Sequence, residues 1–115
     1  MASAKTLYFF FATGCSHCAE AAPHVDAFAN EHLNDIAVVR LNLALRDWVI
    51  NGWSPKYTPG YLFWMNSDVR GVYEGGLTFS ELKKFVAACE KGEPYRDPHA
   101  RSKAKLRAKK EAQGE

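Results

Sequence analysis

Two cysteines separated by two residues, Cys15 and Cys18, lie where an apolar run gives way to a segment with helical periodicity. The apolar run, residues 7–11, predicts a buried strand, and only three residues separate it from Cys15. A helix N-terminus supplies unpaired backbone N–H groups and a partial positive charge, which stabilise a thiolate. Cysteines at this spacing can close a small disulfide ring and reopen it. The arrangement therefore predicts thiol–disulfide exchange.

The length of 115 residues suits one compact domain and is too short for two. Hydrophobic residues make up 47% of the chain, so a core can form without disulfide support. Three cysteines, only two of them in a motif, do not form the framework of a small secreted protein. No apolar run reaches transmembrane length, and residues 1–5 lack a signal-peptide core. We expect a cytoplasmic protein, with a periplasmic location as the alternative if an export signal was removed.

The charge is unevenly distributed along the chain. Residues 96–115 hold seven lysines and arginines against three acids, and the whole chain has a net charge of +2, so residues 1–95 are mildly acidic. We predict a domain at 1–94 and a basic Ala/Lys/Arg-rich tail at 95–115. The tail could contact nucleic acid, an anionic membrane or an acidic partner. It has no interleaved aromatic residues and no motif, so we expect solvation and do not predict nucleic-acid binding.

Hydrophobic periodicity predicts strands at 5–12, 36–43, 61–65 and 69–74, helices at 15–33 and 79–91, and a short helix around 46–50. Pro23 lies inside the first helix and should kink it. Thr78 and Glu81 match a capping box before the last helix. This order predicts a mixed four-stranded sheet with helices on both faces. The predicted buried positions of the two long helices are Val25, Phe28, Ala29 and Leu33, and Leu82, Phe85, Val86 and Cys89.

The element order, with C-x-x-C between the first strand and the first helix, resembles the thioredoxin fold over roughly residues 5–92. Pro23 stands where thioredoxins place a helix-kinking proline, and Pro59 resembles the cis-proline of the family. Gly75-Gly76 stands where the family has a glycine before its last helix. The resemblance implies an α/β protein with a minimal thioredoxin fold, a four-stranded mixed sheet flanked by helices, which lacks the first strand and helix of full-length thioredoxins.

Five positions depart from the family pattern. Gly14 stands in place of a tryptophan, and His17 replaces the proline between the cysteines, as in C-P-H-C and C-G-H-C oxidases and isomerases. Phe9 occupies the position of the buried acid that helps to deprotonate the second cysteine of thioredoxins. Arg40 replaces the usual lysine, and Gly60 replaces the threonine that usually follows the cis-proline. The departures at His17 and Phe9 bear on the direction of the redox reaction.

The two cysteines receive different expected roles. Cys15 is the expected nucleophile, because a helix N-terminus lowers the pKa of a thiol. Cys18, one turn further into the helix, is the expected resolving thiol, which attacks the mixed disulfide and releases the partner. Two ordinary buried cysteines, or a zinc site, are the alternatives. Zinc needs about four ligands, and only Cys89 and scattered histidines remain, so we predict no metal.

The resemblance also implies where a substrate binds. In the family, the backbone before the cis-proline pairs with the substrate peptide as an added strand. This implies that Thr58 and Pro59 bind substrate, with Gly14 and Ser16 beside the nucleophile. The alternative is a trans proline that opens an edge strand.

Three further residues are expected to support the cysteines. His17 can favour the Cys15 thiolate by charge or hydrogen bonding, which would make the disulfide more oxidising, or it is a solvated histidine without redox effect. Without an acid at Phe9, Cys18 should deprotonate slowly. Arg40 could offset this by stabilising a thiolate, or its guanidinium could simply reach solvent. Pro23 is expected to support the site through the shape of the helix.

These features together predict a small protein thiol–disulfide oxidoreductase that acts as an oxidase or isomerase rather than as a reductase. We expect a monomer that needs no bound cofactor. Its partners would be a protein dithiol or disulfide and a redox-recycling protein. The alternative from another class is a binding module that has kept the fold and docks a protein partner or nucleic acid through its groove and basic tail.

Overall fold

Four strands and two helices form the part of the chain that the computed structural model describes, residues 5–95. Their bounds are β1 (Lys5–Phe11), α1 (Ser16–Glu31), β2 (Ala37–Asn42), β3 (Gly60–Met65), β4 (Asp68–Glu74) and α2 (Phe79–Lys91). The strand order is β2-β1-β3-β4, with β1 parallel to β2 and antiparallel to β3, and with β3 and β4 paired as a hairpin. The mixed four-stranded sheet that the sequence predicts is confirmed.

Both helices pack on the same face of the sheet. Alternate side chains of the central strands enter two separate cores, and buried residues of both helices belong to one of them. Leu7 and Phe9 of β1 lie with the helices, whereas Phe10 lies on the opposite face. The helix-side core contains Leu7, Phe9, Ala21, Val25, Phe28, Ile36, Tyr61, Phe63, Met65, Leu77, Leu82, Phe85, Val86 and Cys89.

A loop covers the opposite face of the sheet, so the prediction that helices cover both faces was wrong. The expected short helix at 46–50 does not form, and Ile50 and Trp53 instead make an isolated β-bridge. Between them Asn51 and Gly52 both adopt positive φ, which ends any helix there. Trp48, Ile50 and Trp53 pack over Phe10, Leu41 and Leu62.

Helix α1 starts at the cysteine motif and buries one face. Cys18, Ala21, Val25 and Phe28 are its buried residues, and Pro23 lies inside it, where its ring nitrogen has no hydrogen to donate. The prediction that Leu33 joins this face was wrong. The helix ends at Glu31, and the Leu33 side chain is 74% exposed.

Helix α2 has the predicted bounds and the predicted capping box. Thr78 accepts a hydrogen bond from the Glu81 N–H, and the Glu81 carboxylate accepts one from the Thr78 N–H. Gly92 caps the C-terminus in the left-handed conformation. The predicted buried residues Leu82, Phe85, Val86 and Cys89 face the core. Neither helix between residues 5 and 95 has the length and apolarity needed to span a bilayer.

Replacing Thr78 by alanine should lower the free energy of unfolding by about 1 kcal/mol, since the capping hydrogen bond is lost. Urea denaturation followed by circular dichroism measures the change. Ser80→Ala, an exposed substitution in the first turn of the same helix, is the matched control and should change stability by less than about 0.5 kcal/mol. Equal denaturation midpoints for the two variants would contradict the capping role.

The chain after α2 still packs on the domain at Tyr95. Its ring contacts the rings of Tyr73 and Phe85 edge-on, with both centroid distances at 5.5 Å. The predicted basic tail, apart from this first residue, lies outside the described residues.

Candidate redox site

A tight loop places Cys15 at the N-terminus of α1. Gly14 has φ +88°, a conformation that favours glycine, and the Cys15 N–H donates to the Ala12 carbonyl at 3.2 Å. Cys15 is the N-cap residue, and its Sγ accepts a hydrogen bond from the Cys18 N–H at 3.2 Å. The cysteine thus takes the position that a serine or aspartate usually occupies at a helix start. The Cys18 N–H, in the first turn of the helix, therefore faces its sulfur.

Cys15 and Cys18 form a disulfide, with their Cα atoms 5.2 Å apart. The two sulfurs differ in access, because Cys18 is only 4% exposed while Cys15 is partly exposed. A thiolate from outside can therefore reach Cys15 far more readily than Cys18. This asymmetry fits the order of reaction that the sequence predicts.

The Thr58-Pro59 segment lies directly against Cys15. The peptide bond between the two residues is cis, Pro59 is buried, and β3 begins at the next residue. The Thr58 hydroxyl donates to Cys15 Sγ at 3.4 Å, and the Thr58 carbonyl oxygen lies 3.7 Å from the same sulfur. The structure thus brings together the predicted nucleophile and the predicted substrate-binding loop across 43 positions of sequence.

Gly60 leaves space for another part of the same loop. A Cβ atom at this position would lie 2.6 Å from Pro55 Cβ and 2.8 Å from Pro55 Cγ. Real atoms do not approach so closely, so Pro55 occupies the volume that a side chain would need. This explains in physical terms why this chain has glycine where the family pattern has threonine.

An acidic residue of β4, Glu74, also holds this loop and was not among the predicted site residues. Its Oε2 accepts hydrogen bonds from the N–H groups of Lys56 at 2.8 Å and Tyr57 at 3.1 Å. The next residue of the chain, Gly75, donates its N–H to the Pro59 carbonyl at 2.8 Å. No local sequence pattern marks these contacts, because they depend on the pairing of β3 with β4.

Within the described part of the chain, the side chains around Cys18 are apolar except for that of Arg40. A cavity of about 290 Å³ is lined by Cys18, Phe9, Phe11, Ala22 and Arg40, among others, and none of the described residues that line it is acidic. Phe9 is 2% exposed, and its ring packs on Phe11 at 5.6 Å and on Tyr61 at 5.5 Å between centroids. Among residues 5–95, no carboxylate takes the place of the missing buried acid beside this cavity.

Arg40 reaches the same cavity but binds a carboxylate of α1. Its Nη2 donates to Asp26 Oδ1 at 2.6 Å, and the Arg40 and Asp26 side chains are 42% and 66% exposed. Exposed pairs of this kind contribute little to stability, about 0–1 kcal/mol. Asp26 was not among the predicted site residues; it follows the buried Val25 in α1 and its side chain is exposed.

The remaining motif residues face solvent. Ser16 is exposed, and the His17 side chain is 76% exposed, with its Nδ1 3.6 Å from Glu20 Oε2. A second depression, of about 380 Å³, adjoins His17 and is lined by Glu20, His24, Glu74 and Gly75, among others. The Phe79 N–H donates to His24 Nδ1 at 2.9 Å, so this histidine links α1 to the start of α2.

Cys89 takes no part in this site. It lies on the buried face of α2, and its Sγ fills the space beside Gly71 on β4. Burial raises the pKa of its thiol to about 12. The thiol therefore stays protonated near neutral pH and is a poor nucleophile.

A disulfide at the N-terminus of a helix, with one accessible sulfur and a proline loop against it, defines the class of thiol–disulfide exchange proteins. The family model described as Thioredoxin matches residues 2–88, and the chain belongs to the thioredoxin family. Family membership and the Cys15–Cys18 pair together support thiol–disulfide oxidoreductase activity, with proteins as the general class of substrate.

Proposed function

We propose that this protein transfers disulfides to other proteins or rearranges them, as an oxidase or isomerase, rather than reducing them. The observation that carries the proposal is the set of donors around Cys15 Sγ, namely the Cys18 N–H and the Thr58 hydroxyl. Donors stabilise a thiolate more than a disulfide sulfur. Stabilising the reduced form makes the disulfide a stronger oxidant.

The oxidase reaction has two balanced steps. A substrate thiolate attacks Cys15 Sγ, the Cys15–Cys18 bond breaks, and Cys18 leaves as a thiolate that takes up a proton. A second substrate thiolate then attacks the substrate sulfur of the mixed disulfide. The substrate disulfide forms, Cys15 leaves as a thiolate, and two electrons have passed to the protein. A redox-recycling partner with a disulfide of its own must remove those electrons before the next cycle.

The apolar surroundings of Cys18 favour isomerisation as a companion activity. Resolution by Cys18 requires its thiolate, which an apolar cavity disfavours. Slow resolution lengthens the lifetime of the mixed disulfide on Cys15. A second thiol of the substrate then has time to attack within the complex and to rearrange the substrate's disulfides.

The reduction potential of the Cys15–Cys18 pair tests the proposed direction. The protein is equilibrated with glutathione buffers, free thiols are trapped by alkylation, and the products are weighed by mass spectrometry. We expect a value clearly less negative than the thioredoxin potential of about −270 mV. A value at or below that potential would identify a reductase and overturn the proposal.

Replacing His17 by proline should lower the potential of the pair. A histidine at this position can favour the Cys15 thiolate by charge or by hydrogen bonding, so its loss should lower the potential by roughly 20 mV, equivalent to about 1 kcal/mol. Glu20→Gln is the companion variant, because it removes the carboxylate 3.6 Å from the imidazole while leaving the imidazole in place, and it should change the potential less than His17→Pro does. The same glutathione equilibration measures both. An unchanged potential in His17→Pro would show that this histidine is only solvated.

A further inference from the structure

We propose that Glu74 is a positioning residue, which holds the substrate-binding loop against Cys15. One oxygen of its carboxylate accepts two successive backbone N–H groups, those of Lys56 and Tyr57. Hydrogen bonds from N–H groups to an ionised acceptor are stronger than those between neutral groups. The two residues immediately precede Thr58, whose hydroxyl and carbonyl oxygen both lie at the Cys15 sulfur.

The sheet register explains why Glu74 is in reach of this loop. Glu74 lies directly opposite Gly60 in the antiparallel pairing of β3 with β4. Side chains of opposite residues share one face of the sheet and lie close together. Because Gly60 has no side chain, Pro55 packs over it and the loop runs across this face. The N–H groups of Lys56 and Tyr57 therefore lie within hydrogen-bonding distance of the Glu74 carboxylate.

Two successive residues at the end of β4, Glu74 and Gly75, hold the loop on either side of Thr58. Before Thr58, the Glu74 carboxylate holds two amides. After Thr58, the Gly75 N–H holds the Pro59 carbonyl at 2.8 Å. Replacing Glu74 removes the first of these two anchors and keeps the second. The Thr58 backbone then loses its fixed position relative to Cys15, although the backbone ladder of the sheet remains.

A substrate peptide that pairs with the Thr58 backbone gains from a loop that is already ordered, because it then loses less conformational freedom on binding. This part of the inference rests on the proposed exchange function. Its expected effect falls on the KM for a peptide substrate rather than on kcat. Glu74 touches neither cysteine in the contacts described between residues 5 and 95, so the intrinsic reactivity of Cys15 should not change.

Amide hydrogen exchange tests the anchor without any substrate. Exchange at Lys56 and Tyr57 should accelerate about fivefold or more in Glu74→Leu, because the acceptor is lost. Glu74→Gln keeps an acceptor oxygen of the same reach and should preserve most of the protection. Glu31→Leu, at the far end of α1, is the matched control and should leave both amides unchanged. Wild-type exchange rates in Glu74→Leu would overturn the anchor, whether or not the protein exchanges disulfides.

Kinetics with a disulfide-containing peptide and with iodoacetamide test the consequence. In Glu74→Leu the KM for the peptide should rise about fivefold, whereas kcat and the alkylation rate of Cys15 should stay within about twofold. Glu74→Gln should restore the KM. An unchanged KM, or an equal loss of kcat, alkylation and thermal stability, would overturn the positioning role. Loss of the anchor in amide exchange, combined with absence of peptide turnover in the wild-type protein, would instead count against the proposed function.

Discussion

Replacing Cys15 by serine should abolish disulfide exchange with protein substrates, with a loss of activity on the order of 10³-fold or more. Serine keeps the size of the side chain but supplies no thiolate near neutral pH, and the other motif sulfur is only 4% exposed. Reduction of insulin disulfides by dithiothreitol, followed by turbidity, and oxidative refolding of a reduced protein measure the two directions. Activity retained in Cys15→Ser would show that this site is not where exchange occurs.

Replacing Cys18 by serine should have a different result, which separates the two roles. The mixed disulfide with Cys15 forms but has no internal thiol to resolve it. Non-reducing gel electrophoresis and mass spectrometry should then show a covalent complex of the variant with its substrate, which dithiothreitol releases. Release of substrate at the wild-type rate would contradict the resolving role of Cys18.

Cys89 provides the matched control for both cysteine variants. It is buried, and its thiol pKa is raised to about 12, so it should not enter the exchange. Cys89→Ala should keep wild-type activity per folded molecule. A strong loss of activity in this variant would show that the third cysteine takes part in the reaction.

The sequence predicted the placement of the cysteine pair at a helix start and the capping box of the last helix because these features are local. Cys15 and Cys18 are one helical turn apart, and the capping box joins Thr78 with Glu81. The strands β1 and β3 could also be predicted, since all their residues except Lys5 and Thr6 are apolar. The Glu74 anchor was not predictable in this way. The anchor joins Glu74 to Lys56 and Tyr57, which lie 18 and 17 positions earlier in the chain. It depends on the register of β3 with β4 and on the space above Gly60.

The predictions of a helix at 46–50 and of a buried Leu33 were wrong for a common reason. The pattern of apolar residues does not specify where a helix forms or ends. Trp48, Ile50 and Trp53 pack on the sheet as a helix would, but the turn at Asn51 and Gly52 makes them a loop. Leu33 continues the helical periodicity past the point where α1 ends. Periodicity indicates a buried face, whereas the end of an element depends on backbone geometry and tertiary contacts.

Restoring the family's buried acid by Phe9→Asp should destabilise this protein strongly. The Phe9 ring is 2% exposed and packs on the rings of Phe11 and Tyr61. Removing it leaves a cavity, and the carboxylate that replaces it is buried without an identified partner, so the free energy of unfolding should fall by about 3–5 kcal/mol. Phe9→Leu is the matched control and should lose less than about 1.5 kcal/mol. Urea denaturation measures both, and equal stabilities at pH 8 would contradict this account of the core.

The pH dependence of the Phe9→Asp variant distinguishes the buried carboxylate from the cavity. Burial raises the pKa of a carboxyl group, so the folded state would bind its proton more tightly than the unfolded state does. The free energy of unfolding of Phe9→Asp should therefore fall below that of Phe9→Leu by the smallest amount in acid, and this deficit should grow as the pH rises through the raised pKa. Urea denaturation at pH 5 and pH 8 tests this sign, and a deficit independent of pH would leave the cavity as the whole cause.

The folded fraction of Phe9→Asp should nevertheless resolve mixed disulfides faster than the wild-type protein does. Position 9 and Cys18 line the same cavity, so a carboxylate there could accept the Cys18 proton as the thiol attacks. Stopped-flow release of a fluorescent peptide from Cys15 measures the step, with Phe9→Leu again as the control. Faster resolution with lower stability would show that Phe9 favours core packing over rapid reduction, which is the balance expected of an isomerase. Equal release rates in both variants would show that proton transfer from Cys18 does not limit resolution.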